Sequence, residues 1–558
     1  MNNEKYDGGA GAQTTGPRSK SGLMLTVLGI SAAVCSSGAS AVDIETPNKD
    51  LKVRWDNTFK YTGMQRLKNP AAALIADPNQ DDADRNFKKG LVSSRVDWLS
   101  EIDVSYDNIG ARLSAAAWYD AVYNRGNNND SPFTVNAASA GQNDFIGATK
   151  KLHGKKAELL DAFVFGKFNV GDMRSTIRAG KHTLVYGETL FFGANGIAAA
   201  QGPVDVIKLL SVPNSQFKEL LMPVQQISGQ LQLNSSWALG AYYQLEWKAT
   251  RLPGVGSYFS TLDFLDAGGE RIFVAPGASF NRAANIEARN GGQGGLQAKF
   301  RPPGSDGEYG FYAARYHEKT PQVYLTPGAG FNPVTGQVGE YRLVYPEGIK
   351  TVGASYSTLL GDANVAAELS FRSNMPLVGN AQIDLAGTGD NSGKSLYPVG
   401  RSAHLNLSTI YGMGQSSLYD NAILTAELGF NRLISVTRNR AALDANTARH
   451  AWGLRLVFEP NYYQVLPGLD VAVPIGLGYN PAGNSAVVGA FNGGADNGGD
   501  LSIGIKGAYL EHIKISLNYS RFLGTAKPTL NPSKGNQFNF GQAMRDRDYI
   551  SLSLQSSF

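Results

Sequence analysis

The rhythm of its connections constrains this chain more than any single motif. Eighteen stretches read as strands: 52–63, 92–106, 111–120, 157–169, 173–185, 224–233, 237–248, 292–301, 308–317, 348–359, 363–373, 401–411, 420–431, 449–460, 467–479, 500–510, 513–522 and 546–558. Connections after the odd-numbered stretches have at least 17 residues, and those after the even-numbered ones at most 8. A soluble sandwich or propeller gives no reason for two sets that never overlap. Long loops at one end and tight turns at the other are the topology of strands running up and down through a membrane.

The side chains agree. Trp237, Leu239, Ala241, Tyr243, Leu245 and Trp247 share one face of their stretch, while Gln244 falls on the other. In Val53–Tyr61 the odd positions are mainly apolar or aromatic, and Arg54, Asp56, Thr58 and Lys60 fill the even ones. Period two with aromatics at both ends describes a strand with lipid on one side and a polar lumen on the other. After residue 41 no apolar run approaches the roughly 18 residues of a membrane-spanning helix. A closed barrel is then the way left to pair every backbone N–H and C=O inside lipid. The expected fold is all-β, a transmembrane antiparallel up-and-down β-barrel of about 18 strands (16–18), with long outer loops, short periplasmic turns and both termini in the periplasm.

Arg18 and Lys20 precede the apolar run Leu23–Val34, and Ala39-Ser-Ala41 offers small residues for cleavage. Residues 1–41 therefore read as a secretory signal peptide and 42–558 as the barrel, which places the protein in the bacterial outer membrane. The single cysteine, Cys35, lies in the signal, so disulfides, thiolate metal sites and cysteine nucleophiles are excluded from the mature chain. A net charge of +4, evenly spread, supplies no nucleic-acid surface. The last stretch alternates to a terminal aromatic, Phe558. That ending resembles the insertion signal of outer-membrane proteins and makes the barrel-assembly machinery an expected partner, beside outer-membrane lipid and lipopolysaccharide.

Sixteen to eighteen strands enclose a water-filled lumen. The pore-lining candidates on its wall are Arg54, Arg95, Asp97, Glu101, Arg112, Asp120, Arg178, Glu246, Glu368 and Arg372, joined by Glu188, Asp205 and Lys208 from loop 186–223. A wall carrying both signs selects weakly by charge. Loop 186–223 holds Leu190, Phe191, Phe192, Ile197, Leu209, Leu210, Phe217 and Met222 among its apolar residues, too many to lie open in water. It is expected to fold inward as a constriction, with Pro203 starting a short helix through Leu210 and its charges pairing with lumen residues such as Arg178. Sealing the loop against the wall or a neighbouring subunit is the alternative.

The sequence contains no G-x-S-x-G and no H-E-x-x-H, and His153, His182, His317, His404, His450 and His512 are scattered. No catalytic residue, metal or cofactor is expected. The run Asp77–Asp84 lacks the sixth-position glycine of a calcium loop and reaches Lys88 where glutamate is required, so it reads as a solvated acidic loop. Gly291, Gly292, Gly294, Gly295, Gly493, Gly494, Gly498 and Gly499 fall at loop–strand joins, where positive φ is expected. The function these features imply is a passive, porin-like channel for small hydrophobic or amphipathic molecules. A barrel enzyme and a surface adhesion protein acting through its long loops are the alternatives.

The blocks Asp84–Arg95, Ala117–Tyr123, Arg178–Glu188, Gly202–Asp205, Lys218–Pro223, Tyr243–Arg251 and Arg547–Leu554 resemble signature blocks of the domain of unknown function 1302 family, from about residue 50 to the end. The resemblance implies a proteobacterial outer-membrane protein, a hydrophobic solute, and an inner-membrane exporter as a possible partner. It brings no catalytic residues. His182 and Tyr186 stand where the family pattern has Gln and Trp, and loops 249–291 and 374–400 carry their own sequences.

Overall fold

A computed structural model describes residues 42–44 and 46–558; the signal-peptide expectation lies outside the described residues. The wall has 18 strands: β1 (Leu51–Arg66), β2 (Gly90–Tyr106), β3 (Ile109–Asp120), β4 (Lys155–Val170), β5 (Met173–His182), β6 (Val224–Gln232), β7 (Trp237–Gln244), β8 (Gln293–Phe300), β9 (Glu308–Tyr316), β10 (Ile349–Leu360), β11 (Ala363–Pro376), β12 (Val399–Met413), β13 (Asn421–Arg438), β14 (His450–Leu466), β15 (Leu469–Ala472 continued by Ile475–Ala482), β16 (Gly498–Tyr509), β17 (Ile513–Leu523) and β18 (Tyr549–Ser557). Each pairs antiparallel with its sequence neighbours, and β18 closes on β1 in a register from Thr58↔Ser557 to Arg66↔Tyr549. Beyond that register Phe558 exchanges backbone hydrogen bonds with Asn57 and stacks its ring on Phe59 at 5.9 Å. Val42–Ile44 adds a short pairing on β1.

The alternation has its expected physical outcome. Trp55, Phe59, Trp98, Leu239, Phe311, Phe371, Leu407 and Ile505 are among the large apolar side chains left exposed on the wall. A soluble protein does not tolerate such a band; a bilayer covers it. Among the described residues no helix is long and apolar enough to cross a membrane.

Two strands stop earlier than the sequence suggests. β5 ends at His182 and β7 at Gln244. Trp247 consequently leaves the lipid face: it is buried, its indole N–H donates to Glu318 O at 3.1 Å, and it packs edge-on against Tyr345. The long loops also build structure that the sequence reading missed. Arg271–Ala275, Ala278–Arg282, Gln322–Pro327, Gln337–Val344 and Gln382–Ile383 form a second, five-stranded sheet. Of the glycines expected to need positive φ, Gly292, Gly493 and Gly494 have it. Gly294, Gly295, Gly498 and Gly499 instead lie within strands.

The acidic run is not solvated. Asp77, Asp81, Asp82 and Asp84 are all buried. Asp84 sits between two buried guanidinium groups at the outer end of the β1–β18 seam, 2.8 Å from Arg66 and 2.9 Å from Arg547. Burial opposes its ionisation, but Arg547 and Arg66 win and hold the carboxyl below the usual range.

Candidate functional site

The segment between β5 and β6 leaves the wall and is tied to strands far around it. β11 stands six strands from β5 by the shorter way round. Yet Glu368 on β11 accepts hydrogen bonds from the backbone N–H groups of Glu188 (2.7 Å) and Ile197 (2.5 Å). Arg372, four residues further along the same face, donates to Ala194 O (3.0 Å) and Gly196 O (2.7 Å). On β13, Glu427 collects the consecutive N–H groups of Leu190 (3.1 Å), Phe191 and Phe192 (2.9 Å), the Thr189 hydroxyl (2.8 Å) and the Asn406 amide (2.9 Å). Consecutive N–H groups form an anion cradle; here it is filled by a wall carboxylate.

Asn195 completes this anchor. Its amide donates to Asn406 Oδ1 (2.6 Å) and Phe430 O (3.0 Å), and its Oδ1 lies 3.0 Å from His404 Nδ1. An amide oxygen only accepts, so Nδ1 carries the proton and Nε2 accepts from the Ser402 hydroxyl at 2.8 Å. Ser402, His404 and Asn195 are all buried.

The far part of the segment reaches a second region of the wall. Asp205 caps the helix Val206–Ser211, accepting from Lys208 N at 3.0 Å, and pairs with Arg251 at 2.7 Å. The helix thus starts after Asp205, two residues beyond Pro203, whose carbonyl instead accepts from Met222 N. Leu210 O accepts from Tyr549 Oη on β18 (3.1 Å), and Asn214 Oδ1 from Ser502 Oγ on β16 (3.1 Å). β16 lies eight strands from β6 by the shorter way. Both sets of wall contacts sit on the faces opposite the exposed apolar band, where Leu369 and Phe371 flank Ser370 and Arg372.

Wall glycines make room for this segment. A Cβ on Gly429 would lie 2.9 Å from the Phe192 ring, one on Gly353 2.8 Å from Ile197, one on Gly240 2.8 Å from Tyr186 Oη, and one on Gly476 2.0 Å from Asn214 Oδ1. Gly187 combines a φ of +94° with a would-be Cβ contact of 2.2 Å to Glu368, so only glycine fits there. These lumen-face glycines, with Asn195 and His404, were missed by sequence reasoning. Their one sequence signal is a glycine at a lumen position inside an alternating strand, which without a partner in view reads only as a weak strand former.

The remaining candidates are placed as follows. Arg54 pairs with Asp56 at 2.7 Å. Arg95 donates to Asp97 (2.8 Å) and lies over the Trp118 ring. Arg112 gathers Glu101, Asp103 and Asp161. Asp120 is buried and accepts from Ser94 N and Val122 N. Glu246 accepts from Gln225 N, Lys208 donates to Glu219 O, and Glu188 reaches Lys299 at 3.8 Å. Arg178 lies over the Phe163 ring; the ion pairs of the inner loop run to Lys299 and Arg251 rather than to Arg178.

The sequence matches the family described as "Protein of unknown function (DUF1302)" over residues 22–558, and the chain belongs to that family. No curated protein matches it. Among solved structures it is similar to OccAB4 of Acinetobacter baumannii, at 10% identity over 92% of this chain and 100% of that one, with a TM-score of 0.41. OccAB1 of the same organism matches at 9% identity over 93% and 99%, with a TM-score of 0.42. OpdK of Pseudomonas aeruginosa, solved with vanillate, matches at 10% over 91% and 98%, with a TM-score of 0.39.

Proposed function

We propose that this member of the DUF1302 family is a passive channel of the bacterial outer membrane for small hydrophobic or amphipathic molecules, with the β5–β6 loop as its constriction. One observation carries the reading: a single loop hydrogen-bonds to β11–β13 and to β16 and β18 from within one closed barrel. A segment held on two such distant parts of a wall divides the lumen. Opposite charges paired along the wall, as in Arg112 with Glu101 and Lys506 with Glu459, support a hydrated lining without a net selecting sign. Solute then moves down its own gradient, and any driving energy comes from a partner such as an inner-membrane exporter. Insertion by the barrel-assembly machinery and a surround of lipid and lipopolysaccharide follow from the same reading.

The test is single-channel conductance in a planar bilayer for the wild type and for a variant with residues 206–214 replaced by a short Gly/Ser linker. Stepwise conductance that rises in the variant supports a constricted channel. A closed wild type, or equal conductance in both, refutes it.

The buried Ser402–His404–Asn195 chain favours one second reading, a barrel-wall hydrolase. Labelling of Ser402 by a fluorophosphonate would support it. Wild-type resistance to the probe leaves the chain as a clasp between loop and wall.

A further inference from the structure

Within the outer loops, three carboxylates converge. Asp81, Asp82 and Asp263 each place an oxygen within 4.8 Å of the other two. All three are buried, and the Oδ1 of each has no hydrogen-bond partner. Their Oδ2 atoms are engaged: Asp81 with Arg85, Asp82 with the N–H of Asn136 (3.1 Å), and Asp263 with the N–H of Asp82 (3.0 Å). Asp82 and Asp263 make no ion pair among the described residues. Arg271 donates to the carbonyls of Val135, Asn136 and Ala137, and Arg547 to Asp84 and to the carbonyls of Tyr258 and Ser260.

A second observation comes from outside the acids. Asn136 is fully buried, and its orientation is fixed because its amide donates to Asn79 Oδ1 (2.9 Å) and Arg271 O (2.8 Å). Its Oδ1 is nevertheless buried without a partner, and its backbone N–H is the one that donates to Asp82. Three converging carboxylates that each keep a buried oxygen without a partner, with a buried orphaned amide oxygen on a residue bonded to one of them, have the chemistry of a site for a hard cation. Oxygens sharing one calcium ion stand at most about 5 Å apart, whereas magnesium's shorter bonds demand about 4 Å and near-octahedral order.

We propose that Asp81, Asp82, Asp263 and Asn136 bind one calcium ion that staples outer loops 67–89, 121–154 and 245–292 together over the barrel mouth. The linear motif fails here because the ligands come from three loops rather than from one.

The folded full-length protein, stripped with chelator and desalted, is titrated with CaCl2 or MgCl2 by calorimetry, and bound metal is counted by elemental analysis. One calcium per chain, at least tenfold tighter than magnesium, is expected. Asp263→Asn should weaken calcium at least tenfold, while Asp130→Asn, on an exposed acid paired with Lys88, should leave it unchanged. Absence of uptake by the wild type overturns the proposal, as does equal weakening by both substitutions. Should Asp263→Asn fail to fold, the wild-type stoichiometry and its preference for calcium over magnesium decide alone.

Discussion

The two parts of the inner loop are held in different ways. Residues 187–201 are locked: two buried wall carboxylates and one buried guanidinium take five backbone N–H and two carbonyl groups. Phe192 is packed in the cluster with Phe491, Leu433 and Ala451. Residues 205–214 rest on single contacts from Tyr549 and Ser502, on the Asp205–Arg251 pair and on a hydrogen bond from Val206 N–H to Arg251 O, with Lys208 and Leu209 exposed. Charge-assisted bonds in a buried setting are each worth about 1.5–3 kcal/mol and neutral ones about 0.5–1.5 kcal/mol, and the first part has seven of the former where the second has the Asp205–Arg251 pair. In the proposed channel the loop would therefore act as a fixed bar carrying a less tightly held lip.

The strongest way to break this contrast is Glu427→Ala, which leaves three consecutive backbone N–H groups without an acceptor. It should cost at least about 3 kcal/mol, lowering the thermal midpoint and widening the distribution of conductance states. Unchanged stability would mean that the first part is no more fixed than the second. Next come the wall glycines. Gly429→Val pushes a methyl-bearing carbon into a Phe192 ring that cannot retreat from its cluster, at about 1–3 kcal/mol. Gly476→Val meets Asn214 Oδ1 at 2.0 Å and Ser502 Oγ at 2.7 Å, both ends of side chains that can swing away, so its denaturation midpoint should stay within about 0.5 kcal/mol of wild type. Equal effects at both glycines would erase the distinction.

The eighteen-strand plan was legible because two simple regularities encode it, side-chain period and connection length, and lipid enforces both. The site was only partly legible. Glu368 and Arg372 could be placed on the lumen face by counting, but what they hold could not be read, since their partners are backbone groups of residues 188–197, distant in sequence. Strand ends were lost for the same kind of reason: Trp247 and Tyr345 meet only when two loops pack. Gln244 shows how such a miss changes a forecast. By alternation it is a lumen residue that tolerates arginine, whereas here it is buried with its amide on Gln201 O, part of the fixed section. Gln244→Arg should now destabilise by about 1–3 kcal/mol. Leu245→Arg, exposed just beyond the strand, should cost no more than about 1 kcal/mol. Urea midpoints of the two variants in the same detergent give the order.

The smallest stability effect, and the most informative one for permeation, belongs to the lip. Leu209 is 41% exposed, whereas Val206, Ile207 and Leu210 on the same helix are half-buried. Its neighbour Lys208 ties its own ammonium group back to Glu219 O at 2.9 Å. An apolar side chain left free there costs hydration in the empty channel and recovers it only when an apolar solute passes. Leu209→Ser removes that recovery while breaking no hydrogen bond and opening no core. Its thermal midpoint should match wild type, and its single-channel conductance to small ions should change by less than about twofold, since about 0.5 kcal/mol is the usual reach of an exposed substitution. Flux of a hydrophobic solute into liposomes should fall, while flux of a sugar of similar size is unaffected. If both fluxes change together, the lip acts by width alone, and the preference for apolar solutes must come from elsewhere in the lumen.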